Sequence, residues 1–422
     1  MGILEKAKEI YEIIRKKQNV FIVAHADADG VAGASIFKMM MDELEIEHQI
    51  KFVNYLNEEI LAEHRNQSLL LVDVGNGNLK EIKKMGLDAV VIDHHMSYEF
   101  FKNSLDPFHY GIDGGYEISA SGLAHLVVRN LRGYGDIAII GAIGDLQDRY
   151  GLKGWNRFIL HESNVNVKRD IRLYGRNKPL YKMLSFSPLI PPFFRNVGAT
   201  IKFLKSIGID ENKTWNDLKW NEKKKLFSSI VKTMVERGYE MEDIEKLYGE
   251  VYEIASHDIR EIAASINSMA KYGEYEKAME ICIKKNFDIA KKFLEEHRKN
   301  IKNGIKIARE KLNESKSIKY FYAGDKIKDT ILGTITGMLI ESERIMKPVV
   351  GMAENDDKIK VSVRAPKNMN INLSLAIKTA ARQLGGKGGG HRMAAGATIP
   401  KGYENDFLQI FEAELQSQSV SL

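Results

Sequence analysis

The stretch "VVIDHHMS" (residues 90–97) decides how the chain is interpreted, because an apolar run ends there in an acid and two histidines. An apolar run of this kind is typical of a strand buried inside a sheet. Asp93, His94 and His95 follow directly, and such side chains cost free energy to bury unless a partner compensates for them. The sequence therefore indicates that something at the end of this strand needs a carboxylate and two imidazoles side by side.

The segments around this run alternate between apolar strands and helices. Strands are predicted at 19–24, 48–53, 67–74 and 87–93, and helices at 30–44 and 78–86. Near-continuous apolar strands that alternate with helices favour a parallel sheet covered on both faces. Two further apolar segments, 119–131 and 136–148, continue this domain as two helices or as a helix and a strand. In such sheets the functional groups gather at the carboxyl ends of the strands.

The chain changes character twice after this region. Residues 155–316 are rich in Lys and Glu, show helical periodicity and end in a long charged helix at 290–315. We interpret these charges as a solvated helical face, with a nucleic-acid track as the alternative. From residue 317 a second set of strands and helices begins. The predicted fold is therefore α/β in three parts: a parallel-sheet domain (1–154), a helical middle region (155–316) and a smaller α/β domain with a mixed sheet (317–422).

Composition narrows the class of protein further. The chain has 422 residues, of which 44% are hydrophobic and 28% charged, and a net charge of +5, which permits a nucleic-acid partner without requiring one. No apolar run reaches the roughly 18 residues of a membrane span, and the N-terminus does not resemble a secretory signal. We expect a cytoplasmic protein with no membrane partner. The single Cys282 excludes a disulfide framework and a cysteine zinc site.

Acids and histidines also follow the other predicted strands and helices of the first domain. They are His25, Asp27 and Asp29 in "AHADADG", Asp73 in "VDVGNG", and Asp145 and Asp148 in "GAIGDLQD". An Asp before Gly is often no more than a turn or cap residue. Several carboxylates that converge on one edge of a sheet, however, repel one another unless cations lie among them. Carboxylates mixed with imidazoles suit manganese or magnesium, and the lack of thiols speaks against a structural zinc.

In this order the motifs resemble those of the DHH phosphoesterases. "DAD", "VDVGNG", "IDHH" and "GAIGD" are similar to the four motifs of that family, and "GGKGGGHRMAAGA" (385–397) is similar to the glycine-rich signature of its DHHA1 domain. The regions that carry these motifs cover roughly residues 18–150 and 317–417. The motif "DADG", in place of an "NPDxD" pattern, is more similar to the RecJ-type nucleases of this superfamily. The length and the helical middle resemble the archaeal RecJ-like proteins.

The resemblance implies a role for each matching residue of the first domain. It implies two divalent ions, Mn²⁺ in the first place and Mg²⁺ as the alternative. Asp27 and Asp73 would hold one ion, with His25 at a position where bacterial RecJ proteins tend to carry an Asp. The second ion would be held by Asp29, Asp73, His94 and Asp145, so that Asp73 bridges the two. Asp93 is expected to orient His94, and His95 to face the scissile phosphate as a hydrogen-bond or proton donor.

The glycine-rich stretch is expected to be a loop that binds nucleic acid. The implied contacts with nucleic acid are Arg364, Gly388, Gly389, Gly390, His391 and Arg392. Glycines let backbone amides approach a phosphate closely, and a helix after the loop would add its dipole. A flexible turn without a ligand is the alternative interpretation. Lys387 is followed by Gly, so the stretch is not a Walker A loop.

The resemblance implies a metal-dependent exonuclease that hydrolyses single-stranded DNA or RNA with water activated by two ions, in replication or repair, with a helicase or replisome protein as a partner. A phosphodiesterase for short oligoribonucleotides or cyclic dinucleotides is one alternative; the long middle region speaks for a polymer substrate or a protein partner. A scaffold in a helicase assembly is another, although the acids and histidines are intact. We find no clear row of aromatic residues for base stacking in the sequence.

Overall fold

The computed structural model describes residues 2–187, 189–190, 192–193, 196–343, 345–366 and 369–420. The chain groups into two compact units, Met1–Leu294 and Glu295–Leu422. Residues 1 and 421–422, at the ends of the predicted terminal domains, lie outside the described residues. The division into three parts at 154 and 316 is finer than this grouping and stays a prediction.

The first unit is built on a five-stranded sheet in which neighbouring strands run parallel. Its strands are β1 (Asn19–His25), β2 (Glu47–Val53), β3 (Leu69–Val72), β4 (Ala89–Ile92) and β5 (Ser104–Leu105). Their spatial order is β2-β1-β3-β4-β5. The central strands β3 and β4 are buried along their whole length, which explains their unbroken apolar sequences. The predicted parallel sheet is confirmed.

Helices cover both faces of this sheet. They are α1 (Ile3–Ile14), α2 (Ala28–Glu43), α3 (Glu58–Glu63), α4 (Leu79–Met85), α5 (Ala120–Val128) and α6 (Gly135–Gly144). Along β1, Val20 and Ile22 join the core formed with α1, α2, α5 and α6, whereas Phe21 and Val23 join the core formed with α3 and α4. Residues 136–144, left open between helix and strand, are helical.

The middle of the chain is mostly helical, as predicted, and also contains a small sheet. The elements are α7 (Gly154–His161), β6 (Asn166–Ile171), α8 (Leu180–Ser185), α9 (Val197–Ser206), α10 (Trp220–Glu236), α11 (Met241–Glu245), β7 (Tyr248–Ile254), β8 (His257–Asp258), α12 (Ile259–Lys271), α13 (Tyr275–Lys284) and α14 (Phe287–Glu310). The antiparallel sheet β6-β7-β8 was not predicted, because charged residues break the apolar signal of "NVKRDI" and "YGEVYEI". Residues between Ile171 and Leu247 have a core of their own, whereas α12 and α13 pack into the core of the parallel sheet.

The second unit contains a six-stranded mixed sheet, in the order β13-β14-β12-β11-β10-β9. Its strands are β9 (Asn313–Glu314), β10 (Lys319–Tyr322), β11 (Val349–Asn355), β12 (Lys358–Arg364), β13 (Lys387–His391) and β14 (Ala394–Pro400), and its helices are α15 (Asp329–Glu343), α16 (Leu373–Gln383) and α17 (Glu404–Val420). Strands β10 and β11 are parallel, and the other neighbouring pairs of the described sheet are antiparallel. The predicted mixed sheet is confirmed.

The glycine-rich stretch is not the loop that we predicted. Residues 387–391 form the edge strand β13, a turn follows at 392–393, and β14 leads away in place of the expected helix. Glycine has a low strand propensity, and pairing with β14 over five residues overrides it here. No helix in the described part of the chain is both long and apolar enough to cross a membrane.

Candidate metal centre

The carboxyl edge of the parallel sheet brings the predicted acids and histidines together. Strand β3 lies between β1 and β4. His25 is the last residue of β1, and Asp73 and Asp93 are the first residues after β3 and β4. Because parallel strands end at the same edge, these three residues lie side by side. Asp145 follows the end of α6 and approaches the same place, with a carboxylate oxygen 3.7 Å from Nε2 of His94.

Asp73 lies at the centre of this cluster. Its side chain is only 2% exposed, and its two carboxylate oxygens lie 3.2 Å from Nδ1 of His25 and 3.2 Å from Nε2 of His94. Its backbone has φ 58°, a left-handed conformation that Asp tolerates better than most residues. The Oδ1 atom, on the side of His94, has no hydrogen-bond partner among the described residues. Nε2 of His94 is close enough to this oxygen for an ion pair but is not aligned for a hydrogen bond, and a cation would satisfy the oxygen better.

Two groups of potential metal ligands share Asp73. The first donor group is His25, Asp27 and Asp73, and the second donor group is Asp73, His94 and His95. In each group the ligand atoms lie within 4.8 Å of one another. Nδ1 of His25 is 2.8 Å from Oδ2 of Asp27, whose Oδ1 accepts a hydrogen bond from the backbone of Gly30 and so caps α2. Asp27 therefore combines the ordinary cap role with a place in the cluster.

Asp29 lies at the rim of the second donor group. Its Oδ2 atom is 4.0 Å from Nε2 of His94. Both of its oxygens accept hydrogen bonds from the start of α5, from the backbone N–H of Ala120 at 2.7 Å and of Ser121 at 3.1 Å. A helix N-terminus stabilises a buried carboxylate. Gly141 of α6 leaves room for this arrangement, since a Cβ atom there would lie 2.4 Å from Oδ1 of Asp29.

His94 is oriented by a backbone carbonyl and not by Asp93. Its Nδ1 atom lies 2.7 Å from the carbonyl oxygen of Gly114. The carboxylate of Asp93 instead lies 2.8 Å from Nδ1 of His95 and accepts a second hydrogen bond from the backbone of Asn76 at 2.9 Å. The prediction that Asp93 orients His94 is wrong, because beyond the end of β4 the carboxylate of Asp93 contacts the backbone and the ring of His95.

Sequence reasoning also missed the residues that hold Asp145 in place. The side-chain amide of Gln147 donates to Asp145 at 3.1 Å and to the carbonyl of Gly114 at 2.8 Å. The Oε1 atom of Gln147 in turn accepts a hydrogen bond from Asn156 at 2.5 Å. Asp148 points elsewhere and forms ion pairs with Arg172 and Arg260. The motif "GAIGDLQD" contained Gln147, but no pattern in the sequence distinguishes an amide that positions ligands from an exposed one.

The pKa values of the cluster reflect the crowding of acids around two imidazoles. Burial lowers the pKa of His25, but its hydrogen bonds to Asp27 and Asp73 outweigh burial and raise that pKa to about 11. Burial likewise lowers the pKa of His94, and its contacts with Asp73 and the other acids raise it to about 11. Burial and nearby carboxylates raise the pKa of Asp73 to about 7 and that of Asp145 to about 6. Without a cation, protons compensate the negative charge of the cluster.

The predicted nucleic-acid contacts all lie in the second unit. His391 of β13 is in register with Ala394 of β14, which is in register with Arg364 of β12. Residues directly opposite in an antiparallel sheet share a face, so Arg364 and His391 lie on the same face, two strands or roughly 10 Å apart. Arg364 is half-buried, and no carboxylate in the described part of the chain pairs with it. Its guanidinium lies against Gly333 of α15, where a Cβ atom would be 2.7 Å away.

The three glycines of β13 differ in their surroundings. A Cβ atom at Gly388 would meet α16, and one at Gly390, where φ is 139°, would lie 2.6 Å from the backbone of Ala395. At Gly389 no other described residue has an atom within 4 Å of such a Cβ atom. By the alternation of the strand, Gly389 shares its face with His391. Arg392 donates to the carbonyl of Ile371 and to Asn370, so it ties the turn to the loop before α16.

Family models match three parts of the chain. The DHH family N-terminal domain matches residues 19–143, the DHH-CID domain matches residues 173–248, and the DHHA1 domain matches residues 315–417. An uncharacterised protein of Methanocaldococcus jannaschii is 31% identical over 444 residues, which cover 96% of this chain and 97% of that protein. The chain belongs to the DHH family, with a DHHA1 domain at its C-terminal end, which confirms the resemblance. The sequence analysis did not identify the DHH-CID domain, which coincides with the separate core of the middle region.

Solved structures share this fold. Manganese-bound exonuclease RecJ is 18% identical with a TM-score of 0.59, and the match covers 98% of this chain and 94% of that chain. CDC45 from Entamoeba histolytica is 12% identical with a TM-score of 0.68, and the match covers 98% of this chain and 99% of that chain. Because both structures are less than 25% identical in sequence to this chain, their similarity shows a shared fold and does not by itself show a shared activity.

Proposed function

We propose that the protein is a metal-dependent exonuclease that hydrolyses the phosphodiester bonds of single-stranded nucleic acid. The observation that carries this proposal is the buried carboxylate of Asp73, which two donor groups share and whose Oδ1 atom has no hydrogen-bond partner among the described residues. Donors that share one bridging carboxylate suit a pair of divalent ions that act on phosphorus. A fold shared with an exonuclease supports the same class of reaction.

The donor set fits two ions, with Mn²⁺ preferred over Mg²⁺ because imidazoles take part. His25, Asp27 and Asp73 would hold one ion. The other would be held by Asp29, Asp73, His94 and Asp145. Bound ions would supply a water of lowered pKa and neutralise charge at the phosphate.

His95 is assigned a different task from that of His94. Its side chain is 60% exposed, whereas that of His94 is 6% exposed. The hydrogen bond with Asp93 raises the pKa of His95 and occupies Nδ1, so Nε2 is left to donate to a phosphate oxygen. We propose that His95 faces the scissile phosphate and donates a proton or a hydrogen bond there, with Asp93 as the group that orients it.

The second unit would bind the nucleic-acid substrate. Arg364 is a half-buried cation without an acidic partner in the described structure, which is the state expected of an anion-binding residue. His391 and the open backbone at Gly389 lie on its face of the sheet. Gly388 and Gly390 would keep the edge strand in place, and Arg392 would hold the adjoining turn. A helicase or replisome partner stays a prediction.

The test is digestion of single-stranded DNA and RNA labelled at either end, with Mn²⁺, with Mg²⁺ and with EDTA. We expect shortening from one end with a divalent ion, none with EDTA, and at least a hundredfold loss in Asp73→Ala. Asp88→Ala is the matched control, because Asp88 lies before β4, at the opposite edge of the sheet. Full activity in Asp73→Ala would overturn the proposal. If only dinucleotides were cleaved, the protein would instead be a phosphodiesterase for short oligonucleotides. If nothing were cleaved, the result would favour a scaffold in a helicase assembly.

A further inference from the structure

Directly after His95 the chain exposes its apolar side chains more than its polar ones. Met96, Tyr98 and Phe100 are 58%, 94% and 67% exposed, and we call them the apolar strip. Ser97 and Glu99, between them, are less exposed than these three residues. Burial of apolar surface would favour the reverse arrangement, so the exposed strip is unusual for a surface segment.

The inverted arrangement is held in place by specific contacts. Ser97 accepts a hydrogen bond from the backbone N–H of Glu99 at 3.1 Å. The carboxylate of Glu99 forms ion pairs with Lys83 at 3.0 Å and Lys80 at 3.6 Å, both on or next to α4. These contacts tie Ser97 to Glu99 and Glu99 to α4, while Met96, Tyr98 and Phe100 face solvent.

The position of the strip beside His95 indicates which kind of ligand it binds. Tyr98 is three residues after His95, and three residues span at most about 11 Å, so the strip lies within reach of a strand whose phosphate contacts His95. Three side chains on one short segment are too small for a stable protein interface, which needs about 800 Å² from each partner. Two aromatic rings and a methionine suit the flat faces of bases, and Lys80 and Lys83, which share the one carboxylate of Glu99, leave a net positive charge beside them.

We propose that Met96, Tyr98 and Phe100 form a platform on which bases of a single strand stack next to the metal centre. The inference rests on the proposed function for the identity of the polymer, and it supplies the stacking residues that the sequence did not reveal. Stacking on aromatic rings tolerates any base, so the platform would grip the strand without reading its sequence.

The experiment measures fluorescence anisotropy of a labelled oligo-dT and of an equally long strand whose residues are abasic, both in EDTA so that nothing is cleaved. We expect the double variant Tyr98→Ala, Phe100→Ala to bind oligo-dT about tenfold to a hundredfold more weakly than the unchanged protein. For the abasic strand the two proteins should not differ. Tyr98→Phe should restore wild-type binding at that position, because it keeps the ring. Trp220→Ala removes another exposed aromatic side chain, 72% exposed on α10, and should change neither value.

Equal binding of oligo-dT by the double variant and the unchanged protein would overturn the platform. An equal loss on the abasic strand would also overturn it, since bases would then not be what the strip contacts. Hydrolysis of bis(p-nitrophenyl) phosphate with Mn²⁺ tests the metal centre separately, because this phosphodiester carries no bases. If this compound were not hydrolysed, the result would count against the proposed function alone. The binding data would still decide the role of the strip.

Discussion

The Oδ1 atom of Asp93 lies 2.8 Å from Nδ1 of His95 and also accepts the backbone N–H of the same residue at 3.1 Å. One carboxylate oxygen thus fixes both the ring and the backbone of His95. The hydrogen bond raises the pKa of His95, against the effect of burial, so the imidazolium form persists to higher pH. Asp93 therefore serves the residue that we place at the phosphate.

Replacing Asp93 by Asn should slow hydrolysis about tenfold to a hundredfold with little change in Mn²⁺ affinity. The pKa of His95 falls when the carboxylate charge is lost, so the alkaline limb of the rate profile should move to lower pH. Steady-state rates across pH, together with Mn²⁺ titration by calorimetry, check both parts. A variant with weakened Mn²⁺ binding and an unchanged rate would instead make Asp93 a metal ligand.

Replacing Gln147 by Ala should weaken metal binding about tenfold to a hundredfold, because the amide holds Asp145 and the carbonyl of Gly114 that orients His94. The measurement is Mn²⁺ titration of the folded variant. Gln49→Ala removes an exposed amide on the edge strand β2 and serves as the control. If both variants bound Mn²⁺ equally well, the hydrogen bonds of Gln147 would have no part in holding the ion.

Replacing Gly141 by Ala should damage stability and metal binding together. The added Cβ atom would lie 2.1 Å from Oγ of Ser121 and 2.4 Å from Oδ1 of Asp29, so Asp29 or a helix has to move. We expect a loss of about 1–3 kcal/mol in the free energy of unfolding, together with weaker Mn²⁺ binding. Gly77→Ala places its new atom more than 4 Å from other atoms in the described part of the chain, and it is the matched control for thermal denaturation and titration. Normal Mn²⁺ affinity in a folded Gly141→Ala protein would remove Asp29 from the ligand set.

The sequence predicted the parallel sheet and the convergence of acids and histidines because both follow from local patterns. An unbroken apolar strand implies burial on two faces, and the residues after such strands meet at one edge. The contact between Asp73 and His25 was therefore foreseeable, whereas the left-handed backbone of Asp73 was not. Gln147 and Asn156 acquire their roles through contacts between segments distant in sequence from His94, and periodicity carries no such information.

The glycine-rich stretch shows where local propensity misleads. Glycines at 388–390 indicate a loop, yet β14 supplies backbone partners for each of them and α16 packs against one. Pairing across the sheet outweighs propensity, as is common for edge strands. The apolar strip is a second place where the local pattern misleads. Its sequence, "MSYEF", alternates apolar and polar residues as a half-buried strand does, but its apolar side chains face solvent.

Binding of Mn²⁺ to the metal-free protein should release protons. The pKa of Asp73 is raised to about 7 and that of Asp145 to about 6 by burial and neighbouring acids, and the pKa of His94 is raised to about 11. All three groups must lose their protons to bind an ion, so the apparent affinity should increase as pH rises from about 5 to 8. Calorimetry in buffers with different ionisation enthalpies counts the protons. A pH-independent affinity without proton release would show that the ions bind elsewhere.

The variant Gly389→Ala tests whether a glycine of the edge strand β13 serves the packing of the strand or the binding of the substrate. No atom of the described residues lies within 4 Å of the added Cβ atom, so the free energy of unfolding should stay constant or rise by about 0.5–1 kcal/mol. If a phosphate approaches this backbone on the face that carries His391 and Arg364, the methyl group blocks it, and KM for a single strand should rise severalfold at constant kcat. Gly386→Ala gives the contrasting result, since its Cβ atom would lie 2.4 Å from the carbonyl oxygen of Thr398 and should destabilise the fold. An unchanged KM in Gly389→Ala would mean that no ligand approaches the strand at this residue, and that pairing with β14 accounts for the glycines by itself.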